Sequence, residues 1–195
     1  ILLGLVGSEM CIRDRCCAVG YALMSYLMTA TPLQVVNVAK LGNSANATII
    51  QWHVVAMFLP SFFTGSLIGR FGAFRILWSG VAFYLASIFL AVTAAGFWPY
   101  WLALVAAGLG WNFLFVGGTS LVARVAEPEE RGRVQGFADL MTMTTVAAAS
   151  LSAGAIHSQL GWEALSLAAL GPLSLVCAGL LWLGVIRGRE KPRAA

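Results

Sequence analysis

Residues 76–122 read ILWSGVAFYLASIFLAVTAAGFWPYWLALVAAGLGWNFLFVGGTSLV, without one charged side chain. Two apolar runs, 76–95 and 99–122, are separated only by Gly96, Phe97 and Trp98. At ~1.5 Å per residue each is about 30 Å long, the thickness of a bilayer's hydrocarbon core. The apolar residues are continuous and do not alternate with period two, so helices are expected rather than barrel strands. Two membrane helices joined by a tight turn are the nucleus from which the rest of the chain is read.

Four more runs of this kind flank the pair, at 17–38, 48–68, 137–156 and 164–186. The expected fold is therefore all-α: a polytopic membrane protein of six transmembrane helices, here runs one to six in chain order. Composition agrees, with 59% apolar and 10% charged residues among 195, against about 25% charged in an ordinary soluble domain. Disorder is excluded, because low hydrophobicity is its signature. A secreted disulfide scaffold is excluded by four cysteines in this length, two of them adjacent. A net charge of +4 suggests nucleic acid in a soluble protein, but here the cations sit in clusters between apolar runs, so no nucleic-acid partner is expected.

The clusters set an orientation. Arg70 and Arg75 follow run two, Arg124, Arg131 and Arg133 follow run four, and Arg187, Arg189, Lys191 and Arg193 follow run six. The other side carries Lys40 alone. The positive-inside rule places the first set, and both ends of this segment, in the cytoplasm. Phe97, Trp98, Tyr100, Trp101 and Trp162 are then expected in an outer interfacial belt. Residues 1–15 are set apart as a non-native or linker segment, because Gly7 to Arg15 resembles translated sequencing-adaptor sequence. Residues 16–187 form the transmembrane half-domain and 188–195 a basic cytoplasmic tail. Cys11, Cys16 and Cys17 lack zinc-site spacing, and no metal or cofactor is expected.

Run two ends in Gly65-Ser-Leu-Ile-Gly69-Arg70-Phe-Gly72-Ala-Phe-Arg75. Gly65 and Gly69 are four apart and share a helix face, which suits close approach of another helix. Gly72 suits a tight turn. The loop after run four reads Glu127-Pro-Glu-Glu-Arg131-Gly-Arg133-Val-Gln135-Gly136. Glu127 with Arg131 and Glu129 with Arg133 have the spacing of helical ion pairs, so a short surface helix is expected there.

At these residues the chain resembles the major facilitator superfamily of secondary transporters. That family's loop after the second helix of a half reads approximately G-x-L-a-D-R-x-G-R-R; Gly65, Leu67, Arg70 and Gly72 match it, and Arg75 adds a cytoplasmic anchor. Gly69 stands at the acidic position and Ala73 at a basic one. Pro128, Arg131, Gly132 and Gly136 match the family's P-x-x-R-g-x-x-x-G loop after the fourth helix. The resemblance implies one half of a two-half transporter. The loss of the acid at Gly69 favours the C-terminal half, so the partners implied are a missing N-terminal six-helix half, the lipid bilayer and a small-molecule solute. It implies a pocket wall from runs one, two, four and five, in a bacterial inner membrane.

Polar residues within the membrane face cavities or other helices. Tyr21, Ser25 and Thr29 are four apart in run one, with Gln34 beyond Pro32. Gln51 and His53 enter run two from its outer end, and His53, Met57, Ser61 and Thr64 keep helical spacing. Gly108, Asn112, Val116 and Thr119 form a stripe in run four. Asp139 and Thr142 share a face of run five. Asn112 is read as a substrate contact or as a helix–helix hydrogen bond worth about 0.6–2 kcal/mol. His53 is a relay, a ligand or a packed histidine. Gln34 and Gln51 line an outer vestibule or the interface. Asp139 couples protons, pairs with Arg131 or Arg133, or caps the interface. Thr29 and Thr142 complete the pathway candidates. No H-E-x-x-H, G-x-S-x-G or Walker loop is present and no catalytic residue is expected, so the chain is not read as an enzyme. The expected function is a secondary active transporter moving a small organic solute by alternating access, with an ion gradient driving uptake or efflux. The alternatives are a non-transporting scaffold or sensor and a self-dimerising small transporter.

Overall fold

A computed structural model of the chain describes the backbone of residues 2–122 and 131–190, and side chains over 15–120 and 136–185. Every described element is helical: α1 (Leu2–Pro32), a π-helical segment (Leu33–Val38), α2 (Asn43–Phe58), α3 (Ser61–Phe71), α4 (Ala73–Val92), α5 (Phe97–Val122), α6 (Arg131–Ala168) and α7 (Leu170–Glu190). Arg124, Glu127, Pro128 and Glu129 lie outside the described residues, as do the side chains of Arg131 and Arg133 and the tail beyond Glu190.

Proline shapes the first two runs. Pro32 has no N–H for the carbonyl four residues back, and its ring crowds that carbonyl. The ladder continues in the wider π register, where the Ala39 N–H donates to Gln34 O at 2.8 Å, five residues back. Pro60 likewise splits run two into α2 and α3, which meet at 42°. Gly72, at φ 84, ends α3 and starts α4. A side chain would be strained in that left-handed region, so the sharp turn expected at this loop is built on the glycine.

Runs five and six depart from expectation. The surface helix expected up to Gly136 is not a separate element from Arg131 onward: residues 131–136 are the first turns of α6. No proline or left-handed residue stands between them and the apolar run to part them. At its other end α6 continues past Ile156, and the chain breaks at Gly161, with φ 80 and ψ −180. By length and hydropathy four stretches suffice to cross a membrane: Arg15–Val38, Ala73–Val92, Phe97–Ser120 and Gly136–Val185; the bent α2–α3 pair makes a fifth. The last of the four is a 50-residue stretch where two separate crossings were expected.

The helices pack as two triplets joined through α1 and α5. In one, α5 lies against α2 and α4; in the other, α1 lies against α6 and α7. Lipid tails are as apolar as the side chains, so close packing and interhelical hydrogen bonds hold the bundle. A Cβ on Gly80 would stand 2.9 Å from Leu114 Cγ and 3.1 Å from Gly110 O, and one on Gly110 2.8 Å from the Tyr84 ring. Those glycines let α4 and α5 touch closely. Tyr84 OH then donates to Gly20 O of α1 at 2.6 Å, and Tyr26 OH of α1 donates to Leu165 O beyond the Gly161 break at 3.2 Å.

Candidate solute pathway

Two stripes read separately in the sequence form one seam between α5 and the α2–α3 bend. Against the first half of α5, His53 Nδ1 lies 2.7 Å from Leu104 O. A carbonyl only accepts, so Nδ1 carries a proton, and in the neutral ring Nε2 is then a bare acceptor; it is buried without a hydrogen-bond partner. One turn further along, a Cβ on Gly108 would stand 2.7 Å from His53 O and 3.0 Å from Ala56 Cβ. Beyond it is Asn112, fully buried. Its Nδ2 donates to Met57 O at 2.7 Å and to Ser61 Oγ at 2.6 Å, and its Oδ1 accepts from Thr64 Oγ1 at 2.7 Å. These partners flank Pro60, so an amide from the neighbouring helix satisfies the turn that the proline breaks. Asn112 is thereby engaged within the protein on both of its polar atoms.

A second polar group gathers around the start of α5. Gln34, presented by the π-helical segment, donates through Nε2 to Tyr100 OH at 2.9 Å. Its Oε1 lies 3.1 Å from His157 Nε2, which must be the donor. The Tyr100 and Trp162 rings meet edge-on at 5.7 Å, and Trp162 Nε1 donates to Ala91 O at 2.8 Å. Trp162 and Tyr100 are 8% and 3% exposed, whereas Trp98 is 67% exposed. Of the aromatics expected in a belt, Trp98 is thus an open ring, while Tyr100 and Trp162 are buried, because Tyr100 finds a partner on the π-helical segment and Trp162 one on α4.

A third group is aromatic. Trp111 of α5 stacks on Phe115, with centroids 5.1 Å apart and planes 9° from parallel. Tyr21 of α1 stands edge-on to both rings at 5.5 and 6.0 Å, and Phe58 of α2 lies 5.7 Å from Trp111. Tyr21 was legible as a candidate from its helical spacing. The rings of Trp111 and Phe58 were not, because in so apolar a chain any aromatic reads as lipid-facing or core.

The remaining candidates are dispersed. Thr29 and Gln51 are exposed on the outside of the bundle, and Thr142 is buried on α6. Asp139 is exposed near the start of α6. Gly65, Gly69 and Gly136 have nothing within 4 Å of where a Cβ would stand. The face shared by Gly65 and Gly69 is thus open, and Arg70 beside it lies 5.4 Å from the Phe71 ring centre. An apolar cavity of about 420 Å³ opens between α1, α6 and α7, with Tyr26, Ala149, Ser152 and Pro172 in its wall.

Long apolar helices crossed by buried, hydrogen-bonded polar seams define an integral membrane protein. The chain belongs to the Major Facilitator Superfamily, whose family profile matches residues 16–195. It is 40% identical over 175 residues to a riboflavin transporter of Brucella anthropi, covering 90% of this chain and 42% of that protein. It is 30% identical over 162 residues to an uncharacterized MFS-type transporter of Bacillus subtilis, covering 82% and 37%. A multidrug resistance protein of Yersinia enterocolitica is 34% identical over 91 residues, 47% of this chain and 22% of that protein. The chain thus spans about two fifths of the length of the first two relatives. No solved structure matches it.

Proposed function

We propose that the protein to which this chain belongs is a secondary active transporter of a small organic solute, with this chain supplying one six-helix half. The observation that carries the reading is the family match over residues 16–195. The short relative lengths covered support a second half of similar size, against which the open glycine face of α3 would pack. In this reading the two halves rock about a site near the membrane midplane and expose it to each side in turn. The solute class that best fits is a flavin or a similar planar ring. The 40% likeness to a riboflavin transporter and the aromatic group on α1, α2 and α5 support it.

The reading assigns roles to the candidates. His53 and Asn112 hold α5 to the bend at Pro60, the joint about which run two flexes. Gln34, with His157 and Tyr100, closes the outer end, and Thr29 and Gln51 lie on the path to it. Thr142 belongs to the pathway wall of α6, and Asp139, near its cytoplasmic end, is the proton-coupling candidate. The protein sits in a bacterial cytoplasmic membrane, with both ends of this segment inside.

The test is uptake of riboflavin into proteoliposomes that hold the full-length protein under an imposed proton gradient. Accumulation above the outside concentration, lost when a protonophore is added, is the expected result. Accumulation that persists with every ion gradient dissipated would rule out secondary active transport.

A further inference from the structure

The geometry points to a seat for a planar, uncharged heteroaromatic ring in the cleft between α1 and α2, with Trp111 as its floor and its hydrogen-bond donor. This deepens the transport reading above and rests on it. Both α1 and α2 pack on α5 and scarcely on each other, so the strip of α5 between them is the floor of a cleft. Trp111 lies on that strip, touching Tyr21 on one wall and Phe58 on the other. The three rings come from three different helices and converge on one place.

The second observation is a polar one. Trp111 is only 5% exposed, yet its indole N–H is buried without a hydrogen-bond partner. Trp162, buried to a similar degree, does donate, to Ala91 O at 2.8 Å. Buried donors are almost always satisfied, and one that is not asks for a reason. An indole N–H donates and never accepts, so its missing partner must bring an acceptor, such as a ring carbonyl or a ring nitrogen. Phe58 is 56% exposed and Tyr21 partly exposed. A ring entering the cleft therefore meets these two first, by stacking or edge contact.

Charge narrows the class. Among the described side chains the carboxylates are Asp139 and Glu163, both on α6. From Cys16 to Pro32 in α1, and throughout α2 and α5, there is no charged residue. A bare cation or anion would enter that cleft uncompensated, which is costly in hydrocarbon. A neutral ring with an acceptor edge has no such penalty.

The experiment is equilibrium binding of riboflavin to the full-length protein in lipid nanodiscs, followed by quenching of the flavin's own fluorescence. Pyrene, a planar hydrocarbon, serves as the ring without acceptors. Trp111→Phe keeps a ring and removes the N–H; it should weaken riboflavin binding about tenfold and leave pyrene binding unchanged. Phe58→Leu should weaken both probes, and Trp98→Phe, at the open outer ring, should weaken neither. Riboflavin bound equally by the parent and by a correctly folded Trp111→Phe protein, judged by an unchanged gel-filtration profile, would overturn the seat. So would equal sensitivity of both probes to Trp111→Phe. Proton-driven transport of some other solute with no riboflavin binding overturns the seat and leaves the transport reading standing. Trp111-dependent binding with no solute moved overturns the transport reading and leaves the seat standing.

Discussion

Asn112 shows what a single amide does in a bundle with little water. It makes three short hydrogen bonds to the two sides of a proline break, so its loss strands the Met57 carbonyl, while the Thr64 hydroxyl keeps Pro60 O at 2.8 Å. Asn112→Leu should cost about 1–3 kcal/mol, the penalty of buried groups left unsatisfied, read as a lower thermal midpoint of the full-length protein in detergent. An unchanged midpoint would mean that the bend at Pro60 holds without the amide. Gln34 and His157 share one bond, so Gln34→Leu and His157→Leu should not be additive; a double-mutant cycle on thermal stability should return a coupling of about 0.5–2 kcal/mol. Additive losses would mean that the two side chains act independently. The residues of the α2–α5 seam were legible, because His53, Met57, Ser61 and Thr64 keep the helical period, as do Gly108 and Asn112. That the two stripes face each other was not, since no local pattern relates positions 55 apart. His157 was harder still, 123 positions from its partner.

At the scale of the helix, spacing between axes is set by single hydrogen atoms. A methyl on Gly108 would meet His53 O at 2.7 Å, a backbone atom that cannot swing away. Gly108→Ala should therefore push α2 off α5 and destabilise the protein by about 1–3 kcal/mol, the usual cost of overpacking. Gly65 and Gly69 look alike in the sequence, but nothing lies within 4 Å of either. Gly65→Ala should leave the packing of this segment within about 0.5 kcal/mol of its parent. If a further part of the full-length protein covers that face, the same change should instead weaken the full-length protein. Thermal unfolding of this segment and of the full-length protein, each with both substitutions, separates the two cases. The breaks at Pro32 and Pro60 follow locally from the sequence, because the missing N–H acts within one turn. The break at Gly161 did not, because a glycine in an apolar run is as compatible with a helix interior as with a positive φ. Trp162 was placed in the belt for a related reason: a Trp at a helix end reads as interfacial until a carbonyl such as Ala91 O is found within reach of its N–H.

For the molecule as a whole, the open quantity is how often the last apolar stretch crosses. Gly136–Val185 holds 50 residues, about 75 Å as one straight helix against a core of about 30 Å. A single straight crossing would leave more than half of its length outside hydrocarbon, including the apolar α7. Gly161 offers the way out. Its φ of 80 and ψ of −180 lie outside the helical region, and a residue with a Cβ is strained at such a positive φ. A chain that turns back there makes two crossings and brings the end of α7 to the side on which Gly72 lies. A chain that does not turn leaves that end on the opposite side. Single cysteines at Ala73, Trp98 and Gly188, in a full-length protein otherwise free of cysteine, decide between the two with a membrane-impermeant maleimide. Trp98→Cys should label from outside intact cells, while Ala73→Cys, beside the Gly72 turn, and Gly188→Cys should label only after permeabilisation. Labelling of Gly188→Cys from outside, with Ala73→Cys protected, would leave five crossings and end the half-bundle reading. The loop cations argue for the first result, since Arg70 and Arg75 at one turn and Arg187 and Arg189 at the other prefer the same, cytoplasmic, face.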